Sequence, residues 1–216
     1  MSATAAVDAG TRLSVRTLDA GRSEYAAMLA RMRAHVAARG ARDADELWLT
    51  EHPPVYTLGL AGREEHVRSP GTIPVLRSDR GGQVTWHGPG QAIVYLLVDL
   101  KRRDLKVREF VRAIEGAVIE TLDAYGLAGA RRAGMPGVYV AGAKIAALGL
   151  KVSRGLAYHG VSLNVDCDLE PFSRIDPCGY AGLATTSLAA QGIAVAMPVA
   201  RARLAFHLAH FLEAHD

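Results

Sequence analysis

The sequence predicts an α/β fold, a mixed β-sheet with helices packed on it, and three patterns predict it. Short β-rich runs at 73–77, 83–86 and 92–99 are separated by glycine clusters, as strands of one sheet would be. Between 107 and 125, Phe110, Val111, Ile114, Val118 and Leu122 recur every three to four positions, which makes an amphipathic helix ended at Gly126. Half of the 216 residues are hydrophobic, enough to bury one substantial core at single-domain size.

Taken in order, residues 1–10 are small and polar and read as a disordered tail, with 11–216 forming one domain. Alternation over 12–18 predicts an edge or half-buried strand. After Gly21, the residues Tyr25, Met28, Leu29, Met32 and Val36 share a helical face. Residues 46–50 predict a second strand that His52, Pro53 and Pro54 end, because proline removes a ladder donor; a loop through Gly59 and Gly62 follows. The run at 92–99 is the most apolar and belongs at the sheet centre. Residues 137–152 and 157–165 read as a hairpin pair, and 168–187, with Pro171, Pro177 and Gly179, as a loop. Pro198 suits the first turn of a closing helix in which Leu204, Leu208 and Leu212 share a face.

A net charge of +3 and a pI near 9.0 are mildly basic, and the cations are spread along the chain. This argues against nucleic acid as the main partner and suits an acidic protein partner. Cys167 and Cys178 are the only cysteines, so no multi-bridge disulfide framework is available and a reducing cytosol fits best. No run approaches the roughly 18 apolar residues of a membrane span, and no basic, apolar leader opens the chain. A soluble cytoplasmic monomer is the expectation.

Three segments carry chemistry. In Arg80-Gly81-Gly82-Gln83-Val84-Thr85-Trp86-His87-Gly88-Pro89-Gly90-Gln91, five of twelve residues are Gly or Pro, so backbone can approach a ligand beside the polar groups of Arg80, Thr85, His87 and Gln91. An ordinary glycine-rich turn is the competing reading, and without a following Gly-Lys-Ser/Thr it is no P-loop. In residues 142–149 one lysine, Lys144, stands among small apolar residues. A desolvated ammonium gives up its proton more readily and can then take one from a nucleophile, whereas a lysine on the solvent face of an edge strand would do nothing. In residues 174–180, Cys178 sits between Pro177 and Gly179; a thiol exchanges with a thioester at little energetic cost, and a cation such as Lys144 would favour its thiolate. A buried, inert cysteine is the alternative. That alternative suits Cys167 better, because Asp166 and Asp168 flank it. His159 and His52 read equally as site residues and as hydrogen-bonded structural histidines.

Together these segments resemble the lipoyl(octanoyl) transferase family, which carries an Arg-Gly-Gly-x-x-Thr-x-His-Gly-Pro-Gly-Gln loop, a Lys-Ile-Ala strand and a Pro-Cys-Gly-Tyr loop in that order. His52-Pro53, Thr57-Leu58-Gly59, His159-Gly160 and Leu163-Asn164 match as well, so the likeness runs from about Glu46 to Leu188. Trp86 departs from the family, where tyrosine is more usual. The resemblance implies a biotin/lipoate protein ligase-like domain that moves an octanoyl group from octanoyl-acyl carrier protein to a lysine of lipoyl domains. The acceptors would be the E2 subunits of 2-oxoacid dehydrogenases and the glycine cleavage H protein. It implies Cys178 as acyl-thioester nucleophile, with Lys144 favouring its thiolate, and needs no metal or cofactor. Substrate contacts would come from Arg80, Gly81, Gly82, Gln83, Val84, Thr85, Trp86 and His87, from Ala147, Leu148 and Gly149, and from Gly160, Val161 and Ser162. An ATP-dependent lipoate protein ligase of the same fold, and a silent protein that docks carrier or lipoyl domains, are the competing readings.

Overall fold

A computed structural model describes residues 15–177 and 182–214; the expected N-terminal tail lies outside them. Strands β1 (Val15–Arg22), β2 (Asp45–Glu51), β6 (Gln91–Asp99), β7 (Ala130–Arg132), β8 (Met135–Val140), β9 (Ala143–Ser153) and β10 (Leu156–Asn164) form one sheet in the order β1-β2-β6-β10-β9-β8-β7. Of its pairs, β1 with β2 is parallel, linked by helix α1 (Tyr25–Ala38), and the others are antiparallel. The sheet is therefore mixed.

The run at 92–99 is central. In β6 every residue but Asp99 is buried, because both faces are covered. Ala92, Val94, Leu96 and Val98 pack with helices α2 (Val107–Asp123) and α3 (Met197–Glu213), whose Phe110, Ile114, Leu204 and Leu208 fill the main core. Ile93, Tyr95 and Leu97 point the other way, toward Met28, Met32 and Trp48 in a second cluster under α1. Period-two alternation in one strand thus serves two cores.

Three expectations about the strands are corrected. Residues 75–77 (β4, Val75–Arg77) and 84–87 (β5, Val84–His87) do not join the main sheet. They flank β3 (Val55–Leu58) in a separate three-stranded sheet of order β4-β3-β5. β3 itself was read as loop. Pro53 and Pro54 end β2 but leave the next four residues free to pair, and all four are buried. The chain crosses from one sheet to the other in Gly88-Pro89-Gly90, between β5 and β6. Only glycine fits at 90, where φ is +85° and a Cβ would meet the Asp166 carbonyl oxygen at 2.3 Å. The expected hairpin pair is three strands: Ala141 and Gly142 (φ +46° and +84°) turn β8 into β9, and Arg154 and Gly155 (φ +52° and +88°) turn β9 into β10. The described residues of 168–187 are largely irregular, with a short 3-10 turn at Glu170–Arg174.

Candidate active site

Between the two sheets lies a cleft, partly open to solvent. β5 and its glycine loop form one wall, β6, β10 and β9 the other, and Tyr25 of α1, Phe172, Pro177 and Thr185 complete it.

The glycine segments meet here. Gly149 and Gly160 are cross-strand partners in the β9–β10 pair. A Cβ at Gly149 would lie 2.8 Å from the Gly81 carbonyl oxygen, and one at Gly160 would lie 2.0 Å from that of Val94. Side chains are excluded so that the loop and two strands can pack backbone to backbone beneath the cleft. Gly82, Gln83, Val84 and Thr85 line it from the loop side, and Ala147, Leu148, Val161 and Ser162 from the sheet side. Two residues of the expected contact stretches lie outside the lining. Gly81 donates its N–H to the Leu150 carbonyl, 2.8 Å, and Trp86 packs edge-on against Phe172 in a third cluster with Tyr56 and Leu58.

Arg80 also lines the cleft, but much of its guanidinium is spent holding β3. Nη2 donates to the Thr57 carbonyl and hydroxyl at 2.5 and 2.8 Å, and Nη1 to the Gly81 carbonyl at 3.0 Å. Lys144 opens β9 and is 6% exposed, so the solvent-face reading of this lysine does not hold. Its backbone pairs with the segment after the cysteine loop, N–H to the Ala184 carbonyl at 2.8 Å and carbonyl to the Thr186 N–H at 2.9 Å. Its Nζ lies 5.5 Å from the Tyr139 ring centroid. Gly137, with φ +130°, makes room for it, since a Cβ there would meet Lys144 Cε at 2.7 Å. Pro177, one residue before Cys178 in the chain, lines the cleft; Cys178 itself lies outside the described residues. Cys167 is buried, and burial pushes its thiol up to about 12, so it stays protonated.

Three histidines stand around the cleft, and hydrogen bonding settles each tautomer. His52 donates Nδ1–H to the Ser23 carbonyl, 2.6 Å, so its Nε2 accepts the Tyr95 hydroxyl, 2.6 Å. His159, in a strand yet at φ +64°, donates Nε2–H to Asp79 Oδ1, 2.8 Å. The other Asp79 oxygen accepts from Tyr158 (2.7 Å) and Arg33 (3.0 Å). Burial works to raise the Asp79 carboxyl, but these hydrogen bonds outweigh it and hold it at about 2. Burial lowers His52, brings His159 down to about 4 despite Asp79, and takes His87 well below its ordinary value, so all three are neutral near pH 7. Sequence reasoning did not anticipate Tyr25, Ile93, Tyr95 or Asn164 in the lining. A hydroxyl within the apolar run of β6, and Asn164 within the matched Leu163-Asn164 pair, were the available signals.

This fold is that of the lipoate and biotin ligase catalytic domains. Lipoate-protein ligase A bound with ATP superposes with a TM-score of 0.74 at 16% identity, covering 94% of this chain and 86% of that one. A bi-partite lipoate protein ligase from Thermoplasma acidophilum gives 0.76 at 17% identity over 93% and 84%. Biotin protein ligase from Aquifex aeolicus gives 0.55 at 10% over 91% and 70%. At these identities the likeness is one of fold. The model of the lipoyl protein ligase A/B catalytic domain matches residues 24–207, and the chain belongs to that family. It is similar to an octanoyltransferase of Cupriavidus necator, 50% identical over 94% of this chain and 83% of that protein. It is similar also to an octanoyltransferase of Bordetella petrii, 58% identical over 79% and 84%. No helix among the described residues is long and apolar enough to cross a membrane.

Proposed function

We propose that this protein is an acyltransferase that moves an octanoyl group from octanoyl-acyl carrier protein to a lysine of a lipoyl domain, through a thioester on Cys178. The observation that carries this reading is Lys144, a cation sunk in the wall of a glycine-floored cleft that Pro177, the neighbour of Cys178 in sequence, also lines. The relatives named octanoyltransferase, at 50% identity and above, support it.

In the first half of the reaction the Cys178 thiolate attacks the carrier thioester. The carrier sulfur leaves, and Lys144 gives it a proton. In the second half the acceptor lysine amine attacks the new thioester. A C–N bond forms, the C–S bond breaks with its electron pair on Cys178, and the amine's proton returns to Lys144. Thiolate and ammonium are thus regenerated and no ATP is consumed. Ala147, Leu148 and Val161 would flank the acyl chain, and each methylene buried there contributes roughly 0.8 kcal/mol, so selectivity for chain length is graded. The acceptors are lipoyl domains of 2-oxoacid dehydrogenase E2 subunits and the glycine cleavage H protein, and the enzyme works as a cytoplasmic monomer.

Intact-mass spectrometry with octanoyl-carrier protein and no ATP tests the reading. The native chain and Cys167→Ser should each gain one hydroxylamine-labile octanoyl group, and Cys178→Ser none. A native chain that takes up no octanoyl group, yet modifies a lipoyl domain when given ATP and free octanoate, would be a ligase instead.

A further inference from the structure

His87 differs from the other two histidines in what its second ring nitrogen faces. Its Nδ1 lies 3.1 Å from Gln91 Oε1. The orientation of Gln91 is fixed, because its Nε2 lies 3.2 Å from the Trp86 carbonyl, which can only accept, and 2.9 Å from Asn164 Oδ1. Asn164 is fixed in turn, since its Nδ2 lies 2.8 Å from the Thr186 carbonyl. From that carbonyl back to the imidazole every donor and acceptor is determined, and Gln91 Oε1 must accept from His87 Nδ1–H. Nε2 is therefore the lone-pair nitrogen. It has no hydrogen-bond partner among the described residues, and His87 lines the cleft. The same chain is anchored to the catalytic strand, because Thr186 donates its N–H to the Lys144 carbonyl, 2.9 Å.

His87 is also kept from becoming a donor. Burial of the ring is the main cause, and the Arg80 guanidinium opposes any further positive charge.

We propose that His87 Nε2 accepts a hydrogen bond from the amine of the incoming acceptor lysine and orients it for attack, with Gln91 and Asn164 as positioning residues that hold the required tautomer. The inference rests on the octanoyl-transfer reading and concerns its second half only. One amine hydrogen is held by His87 and another passes to Lys144, which leaves the nitrogen lone pair for the acyl carbon. The C–N bond forms, the C–S bond breaks, the electron pair leaves on sulfur, and the imidazole keeps its Nδ1 proton throughout.

The test separates the halves. Enzyme acylated by octanoyl-carrier protein is freed of donor and mixed with a lipoyl domain, and the loss of the adduct is followed by quenched intact-mass spectrometry. His87→Asn keeps an N–H toward Gln91 but puts no acceptor at the place of Nε2. It should acylate within about threefold of the native rate and transfer about 10- to 100-fold more slowly, the scale of one lost positioning contact. His87→Gln puts an acceptor oxygen near the place of Nε2 and should recover transfer to within about tenfold of native. A folded His87→Asn that transfers at the native rate, or loses acylation and transfer in parallel, overturns the assignment to His87 while leaving the octanoyl-transfer reading standing. A native chain that forms no adduct removes both.

Discussion

Asp79 and His159 join two properties in one pair: a strained backbone and a proton that cannot move. At φ +64° the strand turns His159 into the cleft wall, where its Nε2–H is committed to a carboxylate already held by Tyr158 and Arg33. Folding therefore keeps His159 neutral down to about pH 4, whereas the unfolded chain protonates near 6.5. As pH falls from 6.5 to 4 the unfolded state takes up a proton that the native state refuses, so stability drops, by about 3 kcal/mol for this site. Asp79 loses its own contribution only below the ordinary carboxylate value of 3.8, toward 2, so the earlier loss belongs to the histidines. Urea midpoints at pH 7, 6 and 5 should decline steadily, and His159→Gln should flatten the decline. A midpoint unchanged across that range would contradict the assignment. None of this was legible in residues 159–164, where His159 could equally have been structural; the deciding partner, Asp79, is 80 positions away. Lys144 and the glycine loop were legible because a lysine among small apolar residues, and five Gly or Pro in twelve, are local anomalies.

Among the elements, β10 is held to β6 at a place where no side chain can stand. The pair runs from Leu156↔Asp99 to Asn164↔Gln91, and Gly160 lies opposite Tyr95 with the Val94 carbonyl where its Cβ would be. Gly160→Ala forces the two central strands apart and should cost at least about 2 kcal/mol, read as a lowered urea midpoint together with lost acyl transfer. Full stability in that variant would mean that the strands can separate at this point without penalty. The long helices and β6 were readable from periodicity because each covers or spans a core. β3 was not, since four buried residues carry no repeat long enough to distinguish strand from loop, and two prolines before it signal termination. Division into two sheets was hidden for the same reason: nothing local in 75–77 or 84–87 records which strand they will pair with.

At the scale of the whole molecule, Asp45 joins distant parts of the chain. Wholly buried, it accepts from Arg39 at the end of α1, from Arg102 at 3.0 Å and from Arg103 at 2.5 Å, and from the Asp99 N–H at 2.9 Å. Arg103 continues to the Leu212 carbonyl at the end of α3, 2.5 Å. Removing the central charge strands buried guanidinium groups, so Asp45→Asn should cost about 3–5 kcal/mol and lower Tm by roughly 10 °C or more. Differential scanning calorimetry would show it, and a shift of a degree or two would mean that the three arginines find other partners.

The register of β6 also bears on how the chain is made. Its first residue is tied to Asn164, 73 positions later, while its other neighbour, β2, precedes it in the chain. On a ribosome adding 5–20 residues per second, one flank of the most apolar strand waits roughly 4 to 15 s for its mate. During that interval the nascent protein displays an unpaired, hydrophobic edge, and it is then that a chaperone, or a neighbouring nascent chain, would find it.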